Sequence, residues 1–110
     1  MSDWFAVRCV FGQVGAEDAE AGRDWTYEER ITLWEADGAQ EAIAYAEDDA
    51  LRHAEYADAV YLGSARAFAM RGAPGSGCEV YALLRASALG PDDYVRQFVD
   101  TGRELPAQEN

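Results

Sequence analysis

The chain is 110 residues long, 49% hydrophobic and 27% charged, which suits one compact domain and is too short for two separate cores. All nine basic residues are arginine, set against 21 acidic ones, so the net charge is −12 and the pI about 4.2. Such acidity excludes ordinary nucleic-acid binding, because a phosphate backbone repels it, and no apolar run is long enough to span a membrane.

Met1-Ser2-Asp3-Trp4 offers neither a basic region nor a cleavage-like site, so a cytoplasmic protein without a secretory leader is expected. Cys9 and Cys78 belong to no CxxC or Cys/His cluster. One pair could form a disulfide, but two buried thiols suit a cytoplasmic chain better. Aliphatic residues other than alanine are sparse, which raises the question of disorder. The three tryptophans, six tyrosines and four phenylalanines fall inside periodic segments and argue for a packed fold.

Residues 4–14 read as a strand, with Phe5, Val7, Cys9 and Phe11 on one face and Trp4, Ala6, Arg8 and Val10 on the other. Residues 15–24 are acidic, small and aperiodic, which predicts a flexible loop. Residues 25–36 form a second strand, placing Tyr27, Ile31 and Leu33 on one face and Trp34 on the other. Asp37 and Gln40 have the spacing of a capping box, so a helix is predicted to about Ala57. Ala39, Ala42, Ile43, Ala46, Ala50, Leu51 and Ala54 form its apolar stripe, small enough to let the helix approach a sheet closely.

Residues 60–70 predict a third strand, 71–77 a glycine-rich loop, and 79–89 a fourth strand. Gly90-Pro91-Asp92-Asp93 opens a second helix that buries Tyr94, Val95, Phe98 and Val99 and stops at Thr101-Gly102. Residues 1–104 are thus expected to form a single α+β domain, with 105–110 a flexible tail. The order is ββαββα. Glu29, Leu33 and Ala36 recur as Glu79, Leu83 and Ala86, which suggests an internal ββα duplication. The simplest architecture is a four-stranded antiparallel sheet with two helices on one face. If Ile31, Leu33, Tyr81 and Leu83 face those helices, then Trp34, Val80, Ala82 and Leu84 face away. A soluble chain seldom exposes such a surface, so a homodimer using those four residues is expected.

The densest polar cluster within a strand is Tyr27-Glu28-Glu29-Arg30. Glu28 and Arg30 point with Trp34, Glu29 points with Ile31, and Arg8 on the neighbouring strand could join Glu28. Two arginines, a carboxylate and a tryptophan could form a small anion pocket, because paired guanidiniums grip carboxylate or phosphate in a forked geometry. The same residues could equally be a cross-strand ion network that fixes register, or part of an interface. Arg8, Glu28, Glu29, Arg30 and Trp34 are therefore the candidate ligand- or partner-binding residues.

No complete catalytic constellation is visible. His53 has no nucleophile or orienting group assigned to it and reads as solvated helix surface. Glu47-Asp48-Asp49 also reads as solvated, and no metal-ligand spacing or cofactor motif is present. Cys9 reads as an inert buried thiol, and 72–77 lacks the features of a phosphate-binding loop.

Trp4-Phe5-Ala6-Val7-Arg8, then Tyr27-Glu28-Glu29-Arg30-Ile31, then Ala42-Ile43 and Ala46-Glu47 resemble the bacterial domain-of-unknown-function family 4288. That family is similar in its Trp-aromatic first strand, its E-E-R-[IV] second strand and its Ala/Glu helix, over residues 4–85. The resemblance implies a small α+β domain with no established activity, and it marks Glu28, Glu29 and Arg30 without giving them a role. The expected function is a small acidic, non-enzymatic interaction protein that neutralises or regulates a basic protein partner, its charge speeding and orienting association. The alternative is a small-ligand-binding domain built on the Arg/Glu/Trp cluster.

Overall fold

A computed structural model describes residues 2–14 and 25–105. The predicted loop 15–24 lies outside the described residues, as does the predicted tail apart from Leu105. The element order is β1 (Asp3–Val14), β2 (Trp25–Ala36), α1 (Ala39–Ala57), β3 (Val60–Tyr61), β4 (Arg66–Ala69) and α2 (Pro91–Tyr94). The fold is α+β, with four antiparallel strands in one open sheet and two helices.

β1 is the central strand because its alternation is apolar on both faces. β2 pairs with it along its whole length, from Asp3 opposite Ala36 to Val14 opposite Trp25. Its other edge carries β3 and β4 in tandem: Phe11 faces Tyr61, and Phe5 to Arg8 face Ala69 to Arg66. Between them, residues 62–65 stand opposite only Cys9 and Val10, so the run bulges there. Gly63, at φ +72°, takes the left-handed turn this requires, and Leu62 N–H still reaches Val10 O at 2.9 Å.

α1 lies across β1. Ala42, Ala46, Ala50 and Ala54 are buried against Phe5, Val7, Cys9 and Phe11. These alanines form one i, i+4 row, and methyl side chains let the helix settle on the aromatic and β-branched residues beneath it. The stripe is narrower than the sequence predicted, because Ala39 and Leu51 are exposed. Nor does Asp37 cap the helix. Gly38 is the N-cap without a side-chain hydrogen bond, and Glu41 Oε1 accepts from the Asp37 N–H at 2.8 Å. At the other end Asp58 turns left-handed (φ 56°), and the Ala59 N–H donates to Ala54 O.

The second half departs from expectation. Residues 79–89 carry no strand, so the second unit of the proposed duplication has no counterpart. Both edges of β1 are already filled, and the segment instead sets the Tyr81 ring against Phe68 at 5.9 Å. Phe68 is the Cα partner of Ala6, which places this contact on the sheet face opposite α1. α2 starts at Gly90-Pro91 as predicted and continues through Val95–Val99 in a wider turn, with Asp100 N–H donating to Val95 O. Val95, Phe98 and Val99 stay exposed, and among the described residues only α1 packs on the sheet. No helix there is long and apolar enough to cross a membrane.

Candidate functional site

Alternation on β2 decides which side chains meet α1. Phe5, Val7, Cys9 and Phe11 face the helix, and their partners on β2 are Trp34, Thr32, Arg30 and Glu28. Ile31 and Leu33 therefore face away from the helix, and Trp34 faces it, the reverse of the arrangement expected for the dimer surface. Trp34 donates to Thr32 Oγ1 at 2.6 Å and lies near the Tyr45 ring. The rest of that surface does not exist as a face either: Val80, Ala82 and Leu84 sit exposed in an irregular segment.

The helix side of β2 carries a two-rung ladder of polar pairs. Arg30 Nη1 donates to Asp49 Oδ2 at 2.7 Å, and His53 Nε2 lies 2.8 Å from Glu28 Oε1. His53 also packs edge-on against Phe11, with ring centroids 4.8 Å apart. On the other flank of α1, Tyr61 donates to Glu47 in a short hydrogen bond. Burial pushes the Cys9 thiol up, and burial with the Glu47 carboxylate pushes the Tyr61 phenol up further. Both groups are held in their protonated forms.

The helix-free side is arranged differently. Arg8 cannot join Glu28, because the register puts them on opposite faces; its carboxylate is Glu29, 3.7 Å away. The arginine beside Arg8 is Arg66, its Cα partner on β4, and not Arg30. Tyr27, Ile31 and Leu33 lie open here, with 61%, 43% and 37% of their surface exposed. At the end of the strand Trp25 and Tyr27 stack over Gly12. A Cβ at Gly12 would come within 3.1 Å of the Trp25 ring and push the indole back by a few tenths of an ångström. These rings border an open groove of about 980 Å³ that also touches Glu29, Arg103 and Leu105. On its rim Glu104 accepts from the Thr101 hydroxyl at 2.8 Å, a bond that holds its carboxyl below the usual range.

The five candidate residues are thus divided: Glu28, Arg30 and Trp34 under the helix, Arg8 and Glu29 on the open face. His53, Asp49, Glu47 and Tyr61 were missed as participants, and so was Arg66. Cys9 and Cys78 are unpaired, the first buried and the second exposed. No group of three His, Cys, Asp or Glu side chains is placed to hold a metal ion among the described residues. No family model matches the chain, and no curated protein or solved structure matches it.

Proposed function

We propose that this protein is a small acidic, non-enzymatic interaction module that binds a basic protein partner through the helix-free face of β2. The observation that carries this reading is the reversed polarity of that strand: Glu28 and Arg30 are turned inward, while Tyr27, Ile31 and Leu33 are turned to solvent. A strand with one solvated face normally does the opposite. An apolar strip bordered by Glu29, on a chain of charge −12, offers a contact core with an acidic surround. The non-enzymatic part rests on Cys9, which is buried among Phe5, Val7 and Phe11 and whose thiol that burial keeps protonated, the reverse of an activated nucleophile. Two unpaired cysteines suit a role in the cytoplasm.

The test is affinity capture from host lysate at low and moderate salt, with the native chain beside Ile31→Glu/Leu33→Glu and a Leu51→Glu control. One basic protein, recovered in near-equal amount with the native chain and the control, weakened by salt and lost with the double variant, supports the reading. Equal recovery by all three chains removes the face from it, and recovery of bait alone removes the partner.

The open edge of β2 favours a second reading, a homodimer by strand pairing. Among the described residues, all 12 residues of β2 have one edge free of other strands. A two-fold axis at Glu29 would set Glu28 opposite Arg30 and Tyr27 opposite Ile31, favourable cross-strand pairs, at the cost of setting Glu29 opposite its own copy. A monomeric mass by light scattering at tens of micromolar chain rules this out.

A further inference from the structure

We propose that Arg8, Arg66 and the Tyr81 hydroxyl form a binding site for a compact oxyanion, a carboxylate or phosphate group, on the helix-free face of the sheet. Arg8 and Arg66 are Cα partners across β1 and β4 and share that face. Side chains placed so begin about 5 Å apart, and like charges in that position repel unless something bridges them. In a chain with 21 acidic residues, no carboxylate lies within 4.0 Å of Arg66 among the described residues. Arg8 has only Glu29, 3.7 Å from its Nη1 and itself 68% exposed.

Two further groups on the same face lack partners. The Arg8 side chain is 18% exposed, and its Nε is buried with no acceptor among the described residues. The Tyr81 hydroxyl is also buried without a partner, and its ring packs on Phe68, two residues from Arg66 on the same face of β4. Buried donors are costly when left unmade, and native structures seldom keep them so. One oxyanion would satisfy both, bridge the two guanidiniums and cancel their repulsion, using the forked geometry arginine provides. The site goes beyond the partner-binding reading and does not depend on it, because its probes are small molecules.

The test is nitrogen-15 NMR of the arginine Nε–H resonances of the full chain, titrated with inorganic phosphate and separately with malonate at constant ionic strength. Saturable movement of the Arg8 resonance with millimolar probe, with that of Arg30 still, is the expected result. Arg66→Gln should weaken the apparent affinity roughly tenfold, as loss of one charge-assisted contact does, and Tyr81→Phe should weaken it less. Arg66 is exposed, so its substitution leaves the fold intact, and the amide spectrum verifies this in the same sample. An unmoved Arg8 resonance, the same movement with chloride, or unchanged affinity in Arg66→Gln would overturn the proposal.

Discussion

Under α1 the sheet meets alanines at its centre and charged side chains at its margin; on the opposite face it meets little beyond the segment around Tyr81. The same strand, β2, supplies both surfaces, since its side chains alternate. Its inward charged groups are tolerated because Arg30 meets the Asp49 carboxylate and Glu28 meets the His53 ring at hydrogen-bond distance on the flank of α1. Its outward apolar residues Tyr27, Ile31 and Leu33 stay exposed. The contrast teaches that burial on this sheet is allotted by available partners and not by hydrophobicity alone.

Breaking the comparison at its strongest point means cutting into the helix side. Phe11→Ala removes a ring that is 1% exposed and should cost about 3–5 kcal/mol by urea denaturation, whereas Ile31→Asp on the open face should change stability by under about 0.5 kcal/mol. Equal losses would show that the open face is covered in solution. Next in size, Arg30→Ala leaves Asp49 part-buried without its guanidinium and should cost about 1–2 kcal/mol in the same measurement. Pairing it with Asp49→Ala should recover part of that loss, because no charge is then left unmatched.

Alkaline pH sharpens the contrast further. Cys9 and Tyr61 both have raised values in the fold, so the native state holds protons that the unfolded chain gives up. Their stabilisation is fully present below the unfolded values, about 8.5 and 10, and is lost as pH rises through the higher folded ones. The thermal midpoint should fall between pH 8 and pH 11, and Tyr61→Phe should flatten that fall. The smallest effect is chemical. One thiol per chain, that of Cys78, should react rapidly with an aromatic disulfide reagent at pH 8, and Cys9 only after denaturation.

Alternation made much of this legible in the sequence. The faces of β1, the limits of α1 and the alanine packing row follow from periods of 2 and 3.6. The period also grouped Glu28 and Arg30 with Trp34, but it cannot say which face the helix takes. A matching of spacings could have said so. Asp49 and His53 are four apart on a helix, a rise of about 6 Å; Arg30 and Glu28 are two apart on a strand, about 6.6 Å, and the polar groups match pairwise. Reading His53 as solvated missed this, because each element was weighed alone. Residues 79–89 differ for another reason: β propensity expresses fit to a pleated neighbour, and this segment lies across the sheet face at Phe68 instead of along an edge. Arg66 was hidden by the bulge, since pairing it with Arg8 requires knowing that the 62–65 segment takes two extra residues.

That bulge bears on how the molecule meets its own kind. One lateral boundary of the sheet is broken into pieces of two and four residues around a left-handed glycine, too short and too bent to template another strand. The opposite boundary is long and uninterrupted. A molecule with one adhesive border and one blunted border can be capped by a single neighbour but cannot hand the contact on. Were two copies to join along the long edge, growth would end in a closed pair and would not propagate into a fibre.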